Sequence, residues 1–451
     1  KYEDGNILEP DKEQGLLSPA KLELKNYAKV ALKGFNDNNT VYYVGGYTAE
    51  VIPVITNKNA GNYEIRVNSE NIAKYSSDLT IEKEKETQDS LNDLVEIVDA
   101  DGIYQNEKDG SVYIRGNQAA TLKLKFKKTN AYYDQIWVSK GEKQADGQEI
   151  YYDAINSGIS FDDKEDKEYT LKVSLRNSKN AETVTDGVKY QKITVDATSP
   201  TADFKDLGNA GQFNKVLPNN WKGFGNFSND KIEEYLVTSD DATSKVKSLK
   251  TCKITVDNDD AIVEKISEAV KNDSVWEEKD SVQFNKEGNY IVLALVEDNV
   301  GNKAVYASNG LVFDLTKPTV TITADDAEEA KGPDGTVEFK VEVNDTNITS
   351  GIDTVEIKTF DANQEVSSEK VNSADVVGSW DSSLESIKKH SSFSFKKTLD
   401  INKYPSGYAE IQVTAYDKAG NGSETVSKTV QVDVIKPEVK VSYDSTSSSE
   451  Y

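Results

Sequence analysis

The feature that most constrains this chain is a repeat with a period of close to 120 residues. Three junction segments share an apolar residue, then Asp, then a short linker ending in Pro, and they span Val195–Pro200, Phe313–Pro318 and Val432–Pro437. Their prolines are 118 and 119 residues apart. A weaker copy, Asp78–Glu82, lies another 118 residues upstream and has Glu in place of Pro. Such a period predicts similar folding units in tandem, each contacting mainly its neighbours.

The residues before each junction predict an antiparallel hairpin. A Tyr opens an apolar strand, clearest at Gly288–Leu295, and a polar turn follows it. The turn is sharp at Asp298–Asn302 and Asp417–Asn421 and looser at Arg176–Asn180. Gly and Asn tolerate the left-handed backbone that such turns require, so the chain returns towards the junction. We predict the return strands over 188–195, 305–313 and 425–432.

The Tyr that opens each of these strands predicts a specific contact. A tyrosine corner places the hydroxyl against backbone at the edge of a sandwich. The alternative is that the ring only packs against its neighbours. The four residues concerned are Tyr63, Tyr169, Tyr290 and Tyr408.

The alternating strand, the Asp-x-Ala-Gly-Asn turn, the return strand and the Val-Asp-x-Thr-x-Pro-x-Val junction together resemble bacterial immunoglobulin-like repeats. The resemblance is strong over Glu410–Val439 and Ile291–Val320, moderate over Tyr169–Thr201 and weak before Glu82. The turn at Arg176–Asn180 departs from the pattern because it lacks Ala-Gly. The resemblance implies tandem Ig-like domains of adhesins and wall-anchored proteins, chiefly of Gram-positive bacteria, at the cell surface or in the cell wall.

We therefore predict an all-β chain of tandem Ig-like antiparallel β-sandwich domains arranged as an elongated rod. The third unit carries a Gly/Asn-rich insert over Lys205–Asp230. It also has a predicted helix over Ala261–Lys271, with Ile262, Ile266 and Val270 on one face. The predicted units are a short or atypical domain at 1–82, three Ig-like domains at 83–199, 200–317 and 318–436, and the start of a further repeat at 437–451.

Composition limits the partners that the chain can bind. The net charge is −25, which argues against binding to nucleic acid and to an anionic membrane surface, and we predict no membrane insertion because a long apolar run is lacking. No run of 18 apolar residues occurs. A single Cys excludes a disulfide within the chain, and the absence of Met suits an extracellular location. Cys252 alternates in phase with Ile254 and Val256, so we predict that it is a buried strand residue.

The residue types needed for catalysis are nearly absent. His390 is the only histidine, and its polar neighbours in Lys388–Ser392 predict an exposed side chain. One His and one Cys cannot supply the usual ligands of zinc. No nucleophile elbow and no Gly-rich phosphate loop occurs. We predict that the protein is not an enzyme.

Clustered acids make Ca²⁺ the one cofactor that the sequence suggests, although the predicted fold requires none. Calcium takes about six to eight oxygen ligands, which acidic turns supply. The alternative is that each Asp bonds the backbone of its own turn, and no complete EF-hand loop occurs. The candidate ligands are Asp99, Asp101, Asp257 and Asp259, then Asp325 and Asp326, with the junction residues Asp196, Asp314 and Asp433 as further donors between domains.

Exposed aromatic residues would favour carbohydrate binding. Trp221 and Phe224 lie in a polar loop and form the candidate ligand-binding pair, with a loop packed on its own side chains as the alternative. Trp137 lies in a strand and resembles the core Trp of a sandwich, so we predict that it is buried. Trp276 and Trp380 favour neither interpretation. No spacing of Lys and Asn singles out an isopeptide cross-link.

The combined prediction is a non-catalytic extracellular stalk or adhesin segment of a bacterial surface protein. It would act as a spacer, with adjacent Ig-like repeats of the same chain as its neighbours. A glycan or protein of a host or a neighbouring cell is the partner that this prediction allows. The alternative is a carbohydrate-binding module of a secreted glycan-active protein.

Overall fold

The structure is a computed structural model of the 451-residue chain, and it is all-β with a few short helices. Before residue 91 it describes backbone strands alone. None of the helices in the described part of the chain is both long and apolar enough to span a membrane. From residue 91 the structure describes the chain up to 442, apart from 92, 118–119, 129–131, 179–186, 231–232, 325–334 and 435–437.

The strands before residue 91 pair in small antiparallel sheets. They are β1 (Ile7–Leu8), β2 (Ala20–Lys25), β3 (Val30–Leu32), β4 (Val41–Tyr43), β5 (Glu50–Ile55), β6 (Gly61–Ser69) and β7 (Ile72–Ile81). β2 pairs with both β1 and β5, whereas β3 pairs with β4. β6 and β7 form a hairpin, in agreement with the strand predicted to open at Tyr63.

The next ten strands lie between residues 95 and 196. They are β8 (Val95–Ile97), β9 (Ile103–Gln105), β10 (Val112–Arg115), β11 (Thr121–Leu122), β12 (Leu124–Phe126), β13 (Gln135–Ser139), β14 (Tyr152–Asp153), β15 (Ile159–Ser160), β16 (Lys167–Arg176) and β17 (Gly187–Asp196). β13 pairs with both β14 and β16, β8 with β12, and β11 with β15. β10 pairs with β9 and with the last three residues of β17. In β16, the strand that Tyr169 opens, the apolar residues Leu171, Val173 and Leu175 are all buried.

Residues 200–317 form two sheets. Their strands are β18 (Thr201–Phe204), β19 (Asn209–Gln212), β20 (Asn226–Ser228), β21 (Glu233–Asp240), β22 (Val246–Thr255), β23 (Ser281–Phe284), β24 (Gly288–Asp298), β25 (Lys303–Ser308) and β26 (Leu311–Phe313). One sheet has the order β18-β21-β23. The other has the order β19-β25-β24-β26-β20, with β22 also paired to β24. The predicted hairpin is the β24–β25 pair.

Strand β24 is buried on both faces, which explains its nearly continuous apolar run. Val292, Ala294 and Val296 face the first sheet across one core. Ile291 and Leu293 face a second core on the other side. A strand covered on both faces cannot alternate apolar and polar residues, so its sequence reads as an unbroken hydrophobic segment.

Helix α1 (Ile262–Lys271) confirms the helix predicted over Ala261–Lys271, and it covers the outer face of that sheet. Ile262 and Ile266 are buried in the second core. The predicted third member of this face, Val270, is wrong: it is exposed, and Ala269 is buried in its place. Cys252 is buried in the same core, which confirms the prediction for this residue.

Residues 318–434 form a sandwich of two sheets around one core. Its strands are β27 (Thr319–Ala324), β28 (Thr336–Asn344), β29 (Ile352–Asp361), β30 (Gln364–Asn372), β31 (Ser392–Asp400), β32 (Tyr408–Asp417) and β33 (Val426–Gln431). The sheets have the orders β27-β28-β31 and β30-β29-β32-β33. Alternate residues of β28 and β32 fill the core, which is the pattern that the sequence predicted. Two helices, α2 (Ser373–Val377) and α3 (Leu384–Lys389), interrupt the strands.

The chain divides into two compact units. The second unit holds all residues from Thr194 to Tyr451, so the two sandwiches just described and the junctions before them belong to it. Short 3₁₀ segments complete its secondary structure at Asp259–Ala261, Asp273–Val275 and Ile401–Lys403. The first unit comprises Lys1–Ala100, Thr121–Ser160 and Glu168–Ile193, and the rest of the second comprises Asp101–Ala120 and Phe161–Lys167.

The tyrosine that opens each hairpin has a different environment in each copy. The Tyr290 hydroxyl donates to the carbonyl oxygen of Lys286 at 2.7 Å, which is the backbone contact predicted for it. For Tyr408 the prediction is wrong, because its side chain is 53% exposed. The buried ring of its sandwich is Tyr404, which bonds to Thr359. Tyr169 is half-buried, and the side chain of Tyr63 lies outside the described residues.

Candidate metal centres at the repeat junctions

Three aspartate side chains cluster at the junction between β17 and the sandwich that follows it. Asp196 is the last residue of β17, Asp298 is the last residue of β24, and Asp241 follows β21. Each is buried and offers a carboxylate oxygen, and these oxygens lie within 4.8 Å of one another. We call this group the first triad.

The same arrangement occurs one repeat further along the chain. Asp314 follows β26, Asp345 follows β28, and Asp417 is the last residue of β32. Their carboxylate oxygens also lie within 4.8 Å of one another and are buried. Asp314 and Asp417 lie 118 and 119 residues after their counterparts in the first triad. Two of the three aspartates of this second triad therefore repeat those of the first with the period of the sequence.

An asparagine of the hairpin turn ties each triad to the junction backbone. In the first, the Asn302 side-chain amide donates to Asp298 Oδ2 at 2.8 Å and to the Asp196 carbonyl oxygen at 3.2 Å. In the second, the Asn421 amide donates to Asp417 Oδ2 at 2.8 Å and to the Asp314 carbonyl oxygen at 2.9 Å. The hairpin turn belongs to the sandwich after the junction. The single asparagine amide therefore joins that sandwich to the backbone of the junction before it.

Backbone N–H groups hold the junction carboxylates from both sides. Ser244 N donates to Asp196 Oδ2 at 3.1 Å, and its counterpart Ser350 N donates to Asp314 Oδ2 at 2.7 Å. The other oxygen of Asp314 accepts from the N–H of Thr316 at 2.9 Å. Each triad with its Asn and Ser forms a joint, and we call these the first and second joints.

The triads concentrate negative charge in a place that water does not reach. Burial raises the pKa of Asp196 to about 6, and the two other carboxylates of its triad add to the rise. Burial also raises the pKa of Asp314 to about 7 and of Asp345 to about 6. The pKa values of Asp298 and Asp417 are raised for the same reason. Among the described residues, no Lys or Arg forms an ion pair with any triad carboxylate.

Each joint also contains a buried oxygen that has no hydrogen-bond partner among the described residues. In the second joint it is Asp345 Oδ1, although the other oxygen of this carboxylate accepts from Thr349 and Gly351. In the first joint it is the hydroxyl of Ser244. A buried polar group without a partner is costly, so an oxygen of this kind inside an acidic cluster indicates an interaction with a further species.

The four acids first predicted as metal ligands lie outside these clusters. Asp101 forms an ion pair with Arg115 at 2.6 Å, and Asp259 Oδ2 accepts from the backbone N–H of Leu384 at 2.9 Å. Asp99 and Asp257 are exposed. Metal binding by these four therefore stays a prediction that their contacts do not favour.

The junction aspartates of the sequence prediction have mixed outcomes. Asp196 and Asp314 are members of the two triads. Asp433 is exposed, and no described residues form a buried triad around it. Asp325 and Asp326 lie outside the described residues. Asp241 and Asp345 are the members that the sequence reasoning missed.

The aromatic pair predicted for carbohydrate binding packs in the core on the outer face of the β24 sheet. Phe224 has no exposed surface, and the half-buried Trp221 meets it edge to face with 5.6 Å between ring centroids. Phe224 shares this core with Ile291 and Leu293 of β24, so carbohydrate binding by the pair stays a prediction that its contacts do not favour. Trp137 is only half-buried, contrary to the prediction, because its ring faces the Arg176 guanidinium rather than a core.

The prediction of an exposed His390 is wrong. Its side chain is fully buried and stacks on Trp380 with 4.0 Å between ring centroids. Its two ring nitrogens lie 2.8 Å and 2.9 Å from the carbonyl oxygens of Ser386 and Gly378. No nucleophile is among these contacts, so the only histidine of the chain serves the packing of α3.

The paired sheets and their separate cores define an all-β protein with successive sandwiches of two sheets. No protein-family profile matches the chain, and no curated protein is similar to it in sequence. The fibronectin(III)-like modules of Clostridium thermocellum CbhA are 13% identical, with a TM-score of 0.24, and the match covers 54% of this chain and 100% of that one. A 1.5-MDa bacterial ice-binding adhesin, studied for host cell surface retention, is 12% identical at a TM-score of 0.22, over 76% and 98% of the two chains. Escherichia coli alpha-2-macroglobulin activated by porcine elastase is 9% identical at a TM-score of 0.17, over 92% of this chain and 41% of that one.

The asparagine contacts predict a measurable contribution of each joint to stability. Asn421→Ala removes both amide bonds and leaves two buried acceptors without donors, so we expect a loss of about 1–3 kcal/mol in the free energy of unfolding. Asn302→Ala should cause a similar loss at the first joint. Urea denaturation measures both, with the exposed Asn219→Ala as control. Equal stability of Asn421→Ala and the control would show that the joint contributes nothing.

Proposed function

We propose that this chain is a stalk segment of an extracellular bacterial surface protein, in which stiff joints hold successive sandwiches in line. The observation that carries the proposal is the joint itself, which is built twice from the same residue types at successive junctions. An enzyme would need a single reactive site, whereas a spacer needs the same connection at every step. The resemblance of the junction sequences to bacterial Ig-like repeats supports the location at the cell surface.

Proline reinforces the connection at each joint. Pro200 and Pro318 directly precede β18 and β27, the first strands of their sandwiches. Proline fixes its own φ near −65° and forces the preceding residue into an extended conformation. The carboxylates on the amino-terminal side of each proline are held at the same time by Ser244 and Ser350. Both effects restrict bending at the same point of the chain.

A second contact joins residues 200–317 to the sandwich that follows them. Leu384 and Ile387 of α3 are buried in the same core as Phe224. The N–H of Phe224 donates to the Ser382 carbonyl oxygen at 2.6 Å. Gly223 allows this approach, because a Cβ there would lie 2.3 Å from that oxygen. An apolar contact of this kind opposes rotation about the junction, as a stalk requires.

Small-angle X-ray scattering on the full chain tests the proposal. Sandwiches with strands of about eight residues at ~3.3 Å per residue, plus loops, are roughly 30–40 Å long. We expect the maximum dimension of the particle to be on the order of 100–150 Å, and antibodies against the chain to label intact cells of its source organism. A maximum dimension typical of one compact globule would contradict the proposal.

A further inference from the structure

We propose that the first and second triads each bind one Ca²⁺ ion, with Asp241 and Asp345 as ligands that the following sandwich contributes. This inference rests on the proposed stalk function and names what makes its joints stiff. Each ion would take ligands from both sides of a junction, because Asp196 ends β17 and Asp314 follows β26, whereas the other aspartates of each triad lie in the sandwich after the junction.

The spacing of the carboxylates fits a single cation. Calcium binds oxygen at about 2.3–2.6 Å, so two ligands on opposite sides of one ion are at most about 5 Å apart. In each triad, one carboxylate oxygen from each aspartate lies within 4.8 Å of the other two, so one ion can contact all three. Three carboxylates this close, in a buried site, repel one another unless a cation or protons compensate their charge.

The carboxylate oxygens of the triads favour a hard cation such as calcium or magnesium. Both triads consist of carboxylates alone, with neither His nor Cys in the cluster, which excludes the usual sites of zinc and copper. Magnesium demands near-octahedral geometry and keeps several waters. Buried carboxylates with backbone N–H groups on their remaining oxygens leave little room for such waters, whereas calcium accepts irregular carboxylate-rich sites.

Besides the spacing of the carboxylates, an oxygen of Asp345 without a hydrogen-bond partner supports a bound cation. The carboxylate is 3% exposed, and its Oδ2 already accepts from the Thr349 hydroxyl and the Gly351 N–H. Its Oδ1 is buried and accepts no hydrogen bond from the described residues. An ionised oxygen left in this state would be strongly unfavourable, and a bound cation removes the cost.

Calcium titration of the full chain, after treatment with EDTA and dialysis, tests the inference. Isothermal titration calorimetry and native mass spectrometry with CaCl₂ should both give two ions per chain. Asp241→Asn and Asp345→Asn should each bind one ion, and the double variant none. Asp257→Asn, which changes an exposed acid of the earlier prediction, should bind two. Magnesium chloride at the same concentrations should leave the heat of calcium binding nearly unchanged.

The two test variants are chosen to keep the fold. In Asp241→Asn the side-chain oxygen still accepts from the N–H groups of Thr243 and Lys245. In Asp345→Asn the oxygen that bonds Thr349 is likewise retained. Far-UV circular dichroism should match the wild type for both.

Two results would overturn the inference: no calcium bound to the wild type at millimolar CaCl₂, or two ions still bound to the double variant. Neither result touches the stalk function, which the small-angle scattering experiment tests separately when it is repeated in EDTA. An extended particle without bound calcium would leave a stalk whose joints are held by hydrogen bonds alone.

Discussion

In EDTA, the Asp345→Asn variant should be more stable than the wild-type chain at pH 8 by about 3 kcal/mol, and should lose most of this advantage by pH 4. Burial and the neighbouring Asp417 raise the pKa of Asp345 from 3.8 to about 6. Between these two values the native state holds more protons than the unfolded state, so stability falls as the pH rises. The difference corresponds to about 3 kcal/mol once the native carboxyl is ionised. Asparagine stays neutral and avoids this loss.

Calcium should reverse the order of stability of the wild type and Asp345→Asn. At pH 8 and millimolar CaCl₂, the wild type gains the binding free energy of an ion that Asp345→Asn does not hold, so the wild type becomes the more stable. Urea unfolding at pH 4, 6 and 8, in EDTA and in CaCl₂, measures the effect. Asp257→Asn should follow the wild type under every condition. Parallel stability curves for the wild type and Asp345→Asn across this pH range would refute the electrostatic account of the triad.

The second large effect should come from Phe224→Ala, which we expect to lower the free energy of unfolding by about 3–5 kcal/mol. The ring has no exposed surface and lies in the core that α3 shares with the preceding sandwich. It also lies directly over Gly310, where a Cβ would be 2.3 Å from the ring. The cavity left by alanine cannot be filled by the backbone beneath it. Calorimetric or urea unfolding of the full chain measures the loss.

Trp221→Ala is the matched control, because this ring packs on Phe224 but is only half-buried. Trp221→Ala should lower the free energy of unfolding by less than Phe224→Ala does. The same pair of variants also tests the carbohydrate-binding alternative. A Phe224→Ala chain that kept its stability and lost binding to a glycan array would favour that alternative over a structural role.

The sequence predicted those parts of the joints that recur at the repeat spacing. Asp196 and Asp314 were recognised as junction donors because they precede the same Pro-containing linker. The hairpin turns that hold Asn302 and Asn421 were recognised from their Gly and Asn residues. Strand alternation predicted the sandwich cores for the same reason, since a period of two reports directly which residues share a face.

Asp241 and Asp345 were missed because they do not follow the period. They are 104 residues apart, and the loops that hold them differ in length, with the bonding Ser three residues later in one and five in the other. A comparison by period alone cannot align such loops. The Ser that follows each Asp at the end of a strand was the remaining signal.

His390 and Trp137 show a second limit of sequence reasoning. The neighbours of His390 in the chain are polar, yet Trp380 and two carbonyl oxygens enclose its ring. Trp137 lies among apolar neighbours, yet it meets Arg176 from the adjacent strand. In both cases the burial is decided by residues distant in sequence, which local polarity does not report.

The sandwich at 200–317 carries residues of both joints. The unit at 200–317 supplies Asp241 and Asp298 to the junction before it and Asp314 to the junction after it. Duplication of one such unit in register would therefore create a complete new connection without any change in sequence elsewhere. A gene built in this way can lengthen or shorten its product by unequal recombination, and every intermediate length keeps properly formed connections.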